Sequence, residues 1–167
     1  PEVVFYSFIK LPEGKMSTRR GNVVFMDDLL EEAQAQAATV VRELRPEYQE
    51  EDVARIAEAV GTSAVRFNII KVSPEKGFTF RWEDALTFEA GSAPFAMYSH
   101  TRACSISAKV ANIGRPQQPI TIPSSEKMPE GMRSLLRALC TQRGVLAKAV
   151  EEHRPQLFAD HLLQLAN

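Results

Sequence analysis

The stretch PFAMYSHTRACSISAKVA, residues 94–111, has the pattern of a long helix. It contains no glycine, and its one proline stands at the start, where the first turn of a helix tolerates it. Apolar residues recur along it at helical spacing, at Phe95, Ala103, Ile106 and Val110. We therefore expect a long helix from about Ala93 to Ala111 inside a helical domain.

Apolar periodicity predicts four further helices outward from this stretch. Two precede it: one starts at Asp27 or Asp28 and ends before Pro46, and the other runs from Asp52 to the Ser73-Pro74 break. Two follow it, from Met128 to Glu152 and from Pro155 to Leu165. In the helix from Met128 we expect four apolar residues to face the interior, namely Leu135, Leu139, Leu146 and Val150.

The remaining segments read as strands and loops. Val3–Ile9 and Asn22–Met26 are rich in β-branched or aromatic residues and predict short strands. Residues 78–82 predict an extended connector that Trp82 anchors, and the prolines of residues 113–123 predict a loop. The expected fold is mainly α, a helical bundle preceded by a small α/β part, with units at residues 1–50 and 51–167.

Composition excludes several classes of protein. The net charge of the 167 residues is −1, so contact with nucleic acid would need a local basic face. No stretch approaches the roughly 18 apolar residues that span a bilayer. Cys104 and Cys140 are isolated, which argues against a disulfide framework and favours a reduced, cytoplasmic setting. The three histidines lack metal-ligand spacing, so we expect no metal site, and we expect Cys104 to be a small core residue.

The run KMSTRRG, residues 15–21, concentrates cations and hydroxyls beside a glycine. Such side chains bind a triphosphate through charge-assisted hydrogen bonds, and the glycine allows the backbone to approach it. The residues that could do so are Lys15, Ser17, Thr18, Arg19 and Arg20. A solvated basic turn is the alternative, since short motifs also match by chance.

A second candidate site lies within the predicted helix at residues 94–111. Tyr98, Arg102, Ser105 and Lys109 are separated by four, three and four residues, which places them on one face. An aromatic ring can stack on a base, and cations can bind phosphates of a single strand. From the pattern alone, an amphipathic helix with these side chains satisfied inside the fold is the favoured alternative.

The basic run resembles the KMSKS signature of class I aminoacyl-tRNA synthetases, in the form found in arginyl-tRNA synthetases. Lys15, Met16 and Ser17 match the signature, whereas Thr18 stands at its second lysine and Arg19 at its last serine. This departure leaves open whether Arg19 or Arg20 supplies the second cation.

Two further segments are similar to arginyl-tRNA synthetases, in the expected order: FRWEDALTFE at residues 80–89 and EAGSAPFAMYSHTR at residues 89–102. Residues 155–166 are similar to the closing helices of the family's anticodon-binding domain. The resemblance therefore covers nearly the whole chain and implies a fragment that starts near the end of the catalytic domain and is truncated at its C-terminus.

The resemblance implies an ATP-dependent ligase that attaches arginine to its tRNA, with Mg²⁺ in the full enzyme. It implies catalytic roles for Lys15 and Arg19, phosphate contacts along residues 15–20, and tRNA contacts for the stripe that begins at Tyr98. The family's HIGH-type signature is absent from the chain, so we expect no activity and no bound cofactor in this part alone. The expected partners are arginine tRNAs, with ATP and arginine for the full enzyme, and no membrane.

Two alternatives remain open. Cysteinyl-tRNA synthetase shares a related helical bundle, although the continuation Thr18-Arg19-Arg20-Gly21 and the segment from Tyr98 to Ser105 favour arginine. A non-catalytic helical RNA-binding or interaction module is the alternative from another functional class.

Overall fold

The computed structural model describes residues 3–12, 25–87, 89–113 and 128–167. The phosphate-binding run at residues 15–21, most of the predicted strand at 22–26 and nearly all of the predicted loop at 113–123 lie outside these residues. The elements of the described part are β1 (Ile9–Lys10), α1 (Met26–Leu44), α2 (Glu50–Ile70), β2 (Phe78–Thr79), α3 (Trp82–Leu86), α4 (Ala93–Ile113), α5 (Glu130–Glu151) and α6 (Pro155–Ala166). The mainly α class predicted from the sequence is confirmed.

Helices α1 and α2 form an antiparallel hairpin packed through small residues. Ala33 of α1 lies so close to Gly61 of α2 that a Cβ atom at Gly61 would be 2.7 Å from the backbone carbonyl of Ala33. At the connected end of the hairpin, Arg42 Nη2 donates to Glu50 Oε2 at 2.8 Å. Both helices carry acidic residues in their first turns, where the helix dipole favours them.

The two strands pair in parallel, with Ile9 opposite Phe78 and Lys10 opposite Thr79. The predicted strand Val3–Ile9 is wrong for most of its length. Within the described ranges only its last residue has a partner strand, and before it the Ser7 N–H donates to the Pro74 carbonyl at 2.7 Å. Of the connector predicted at residues 78–82, Phe78 and Thr79 belong to this pairing, and Trp82 is the first residue of α3.

Two groups of buried residues hold the described part together. The first lies between the hairpin, the strands and α3, where the rings of Phe80 and Trp82 meet edge to face with centroids 4.9 Å apart. The predicted role of Trp82 as an anchor agrees with this contact. The second group joins α2 to α4 and α6 through Phe67, Ala93 and Ala159. Helix α2 therefore contributes to both groups, because one part of its surface contacts α1 and another contacts the later helices.

The later helices leave much apolar surface exposed. Helix α5 packs mainly on α6, and α6 also contacts α4 and α2. The prediction that Leu135, Leu139, Leu146 and Val150 face the interior is wrong, since all four are exposed. The α5 residues that are buried are instead Ala138 and Ala149. None of the helices in the described ranges combines the length and the hydropathy that a membrane span requires.

Candidate nucleic-acid interface

Helix α4 carries the predicted stripe and begins at a well-defined cap. Ser92, which is buried, accepts a hydrogen bond from the Phe95 N–H at 3.2 Å and donates to the Glu89 carbonyl at 3.0 Å. This satisfies one of the amide groups that a helix start leaves unpaired. Gly91, just before the cap, has a φ of 101°, a conformation that glycine adopts without strain.

Helix α2 fixes the position of this helix start. Lys71 Nζ, at the end of α2, donates to the Gly91 carbonyl at 3.1 Å. Burial lowers the pKa of Lys71, and the Asp84 carboxylate partly opposes that shift. The hydrogen bond to Gly91 places the Lys71 ammonium group at the turn that precedes α4.

Further along, Ser99 ties α4 to the C-terminal end of α6. Its hydroxyl donates to the Ala166 carbonyl at 3.1 Å. Beyond this contact, residues 100–113 are exposed, so the second half of α4 projects from the packed part. Ile106 and Val110, which the sequence placed on an apolar face, are exposed as well.

The stripe itself lies on this projecting part of α4 and its start. Tyr98, Arg102, Ser105 and Lys109 are all exposed, and the first two are in contact. The guanidinium carbon of Arg102 lies over the Tyr98 ring, 5.8 Å from its centroid. The Ser105 hydroxyl donates to the Thr101 carbonyl at 3.0 Å, so its oxygen is left to accept. The alternative in which these side chains are satisfied inside the fold does not describe the structure.

The charges of the stripe are not neutralised locally. Within the described ranges, neither Arg102 nor Lys109 forms an ion pair with a carboxylate. Cations on an exposed helix without carboxylate partners are available to an anionic ligand, and phosphate is the ligand that Arg and Lys commonly bind. The arrangement can bind a single nucleic-acid strand by stacking and by charge.

Cys104 is exposed, so the prediction that it is a small core residue is wrong. Its sulfur lies 3.5 Å from His100 Nε2, one turn earlier on α4. Among the described residues, no three His, Cys, Asp or Glu side chains come close enough to hold a metal ion.

The sequence did not reveal which residues hold α4 in its position, namely Lys71, Gly91, Ser92 and Ser99. A serine three residues before the Phe95 amide was a visible capping signal, but the contacts of Lys71 and Ser99 join distant parts of the chain. The predicted phosphate ligands, Lys15, Ser17, Thr18, Arg19 and Arg20, lie outside the described residues.

Comparison with protein families gives two matches along the chain. Residues 6–82 match the family described as tRNA synthetases class I (R), catalytic domain. Residues 96–167 match the DALR anticodon binding domain. The second match contains the whole stripe on α4.

Curated relatives agree with these matches. The chain is 44% identical to the arginine–tRNA ligase of Thermoplasma acidophilum over 162 residues, which cover 97% of this chain and 28% of the relative. It is 43% identical to the arginine–tRNA ligase of Methanocella arvoryzae over 166 residues, covering 99% of this chain and 28% of the relative. The chain thus spans little more than a quarter of the length of these relatives.

Solved structures extend the similarity to the fold. The arginyl-tRNA synthetase of Thermus thermophilus aligns with 96% of this chain and 25% of its own, at a TM-score of 0.76 and 32% identity. The arginyl-tRNA synthetase of Plasmodium falciparum aligns with 86% of this chain and 25% of its own, at a TM-score of 0.66 and 14% identity, which speaks for the fold alone.

Proposed function

The chain belongs to the arginyl-tRNA synthetase family, and from this premise we propose that it is the part that holds tRNA for an ATP-dependent arginine–tRNA ligase. The observation that carries the proposal is the exposed stripe of α4, where a tyrosine ring shares one face with two cations that have no carboxylate partner among the described residues. A tRNA loop offers the matching chemistry of unpaired bases and phosphates. The reported relatives are arginine–tRNA ligases, which favours arginine over the cysteine alternative.

The run at residues 15–20 is proposed to act in the same enzyme at the ATP phosphates. Lys15 and Arg19 would stabilise charge that builds up when the amino-acid carboxylate attacks the α-phosphorus, and Ser17, Thr18 and Arg20 would bind the phosphates. The choice between Arg19 and Arg20 as the second cation stays a prediction. So do the need for Mg²⁺ and the cytoplasmic location.

We keep residues 1–50 and 51–167 as the proposed division into a catalytic part and an anticodon-binding part. In support, α2 begins at Glu50 and its Phe67 packs on Ala93 and Ala159 of the later helices. The catalytic-domain match extends to residue 82, and α2 also packs on α1. Helix α2 therefore packs on both parts, wherever the boundary between them is placed.

The first experiment measures binding of this chain to an arginine tRNA transcript, to the same transcript with a changed anticodon, and to a cysteine tRNA. We expect preference for the arginine tRNA and loss of that preference when the anticodon changes. Equal and steeply salt-dependent binding to all three would mean phosphate contacts without recognition. Absence of binding would leave the family assignment in place but would deny this chain an independent RNA site.

Substitutions locate the site within the chain. Tyr98→Ala should weaken binding of the arginine tRNA by about 1–3 kcal/mol, the range for one base stacked on an aromatic ring. Arg143→Ala is a suitable control, because Arg143 is an exposed cation of α5 outside the stripe. Unchanged affinity of the Tyr98 variant would remove the stripe from the interface.

A separate experiment tests the phosphate run in the complete enzyme. Lys15→Ala or Arg19→Ala should lower the rate of arginyl-adenylate formation by a factor equivalent to about 2.7–4 kcal/mol, if each residue makes one strong transition-state contact. Arg20→Ala is the comparison that decides which arginine is the second cation. A normal rate in both the Lys15 and the Arg19 variant would exclude the run from the chemistry.

A further inference from the structure

Tyr98 and Arg102 form a pair before any RNA is bound. They are four residues apart on α4, and the Arg102 guanidinium carbon lies 5.8 Å from the centre of the Tyr98 ring. This is within the roughly 6 Å at which a cation is attracted to an aromatic face. In the described part of the chain the guanidinium has no carboxylate partner, so the ring is the contact that orients it.

The pair leaves much of Tyr98 accessible. The guanidinium carbon of Arg102 lies over the ring, yet the residue keeps 54% of its surface exposed. Helix α4 is fixed next to the ring, because Ser99 donates to the Ala166 carbonyl of α6. An aromatic ring with one face covered and its backbone fixed offers a single ordered surface for stacking. Order in the free protein reduces the entropy lost on binding.

The other polar groups of the stripe have different roles. The Ser105 hydroxyl is already used as a donor to the Thr101 carbonyl. Lys109 is exposed and lies eleven residues beyond Tyr98, about 16 Å along the helix axis at 1.5 Å per residue. Its ammonium group is a compact charge on a flexible stem, which suits a phosphate rather than a ring.

We propose that Arg102 is a positioning residue that acts on RNA through Tyr98. Its guanidinium holds one face of the ring so that the other face stacks on a single unpaired base, while Lys109 makes the phosphate contact of the stripe. The inference rests on the proposed function and refines it, since the sequence pattern assigned Arg102 and Lys109 alike to phosphates.

A double-mutant cycle in tRNA affinity tests the proposal. Variants of this chain with Tyr98→Ala, Arg102→Ala and both substitutions are titrated with the arginine tRNA. Arg102→Ala alone should weaken binding about two- to fivefold, as expected for an exposed cation–ring contact. In the Tyr98→Ala background the same substitution should have no further effect, because its only route to the RNA is gone. In Tyr98→Phe, which keeps the ring, the effect of Arg102→Ala should return.

The salt dependence of binding gives an independent readout that a structural role would not change. Lys109→Ala should lower the slope of log affinity against log salt concentration by about one, because one phosphate contact is lost. Arg102→Ala should leave that slope unchanged. Helix content and unfolding of each variant are measured alongside, with Arg143→Ala as the matched arginine control.

Two results would overturn the inference. If the effects of Tyr98→Ala and Arg102→Ala simply add, or if Arg102→Ala lowers the salt slope as Lys109→Ala does, Arg102 contacts the RNA itself. Failure of the proposed function is distinguishable, since the unsubstituted chain would then bind no arginine tRNA and the inference would fall with it.

Discussion

The α1–α2 hairpin and helix α5 have similar apolar periodicity but different surroundings. In the hairpin, Ala33, Ala64 and Val65 are at most 1% exposed, whereas Leu135 and Leu139 of α5 are 47% and 49% exposed. Helices α1 and α2 follow each other along the chain and cover each other, while α5 packs mainly on the shorter α6. A helical period therefore identifies an apolar face but does not tell whether another segment covers it.

The largest effect should come from α2, where it meets the later helices. Phe67 is 8% exposed and packs on Ala93, Ala159 and Leu163, so Phe67→Ala should lower the free energy of unfolding by about 3–5 kcal/mol. Phe158→Ala is the control in α6, where the ring is 36% exposed and less contact is lost. Urea unfolding of the two variants measures the difference, and equal losses would contradict the contrast between covered and uncovered faces.

The next effect concerns the closest approach within the hairpin. A methyl group at Gly61 would be 2.7 Å from backbone atoms of Ala33 and Gln34, which cannot rotate away. Gly61→Ala should therefore destabilise the fold by about 1–3 kcal/mol through overpacking.

Gly144 in α5 provides the matched control for that substitution. No atom of the described residues lies within 4 Å of a Cβ atom placed there, and alanine is favoured over glycine within a helix by roughly 0.5–1 kcal/mol. Gly144→Ala should therefore raise the thermal midpoint while Gly61→Ala lowers it. Shifts in the same direction would mean that the hairpin contact is looser than described.

A smaller effect is expected on the exposed face of α5. Leu139→Ala should cost about 1 kcal/mol, since the side chain is half exposed and full burial of a leucine is worth roughly 1.5–3 kcal/mol. The measurement is the urea midpoint of this chain. A loss as large as that of Phe67→Ala would show that the α5 face is covered in solution, for example by self-association, which sedimentation would detect.

The smallest expected effect concerns the loss of stability at low pH. The Ser73 hydroxyl, the backbone and the Arg154 guanidinium lower the pKa of Glu75 below its ordinary 4.5. Because the pKa is lower in the folded state, Glu75 contributes stability above the ordinary pKa and loses it as the pH falls through the lowered one. Glu75→Gln should reduce the acid sensitivity of the unfolding midpoint slightly, because the pair with Arg154 at 3.0 Å is exposed.

Glu58→Gln, on an exposed part of α2, is the control for the acid experiment. If the two glutamine variants have the same profile, the contact between Glu75 and Arg154 does not contribute to stability in solution.

The helices were largely predictable from the sequence because their signals are local. The expected helix from Ala93 to Ala111 is observed as Ala93–Ile113, and that from Pro155 to Leu165 as Pro155–Ala166. The extent of the strand predicted at Val3–Ile9 was not predictable, since a strand needs a partner and, in the described part of the chain, Ile9 is the one residue of that segment that has one. The prediction that Cys104 is a core residue failed for a similar reason, because helical spacing does not reveal that this half of α4 projects into solvent.

The helical class, the resemblance to arginyl-tRNA synthetases and the residues that share one face of α4 could all be predicted without coordinates. These follow from local spacing, and from motifs that stay recognisable without coordinates. Three features became clear only from the fold: Lys71 and Ser99 hold α4 in place, the stripe is exposed, and Arg102 lies over the Tyr98 ring. Burial and side-chain contacts depend on which distant segments meet, and no local pattern in the chain contains that information.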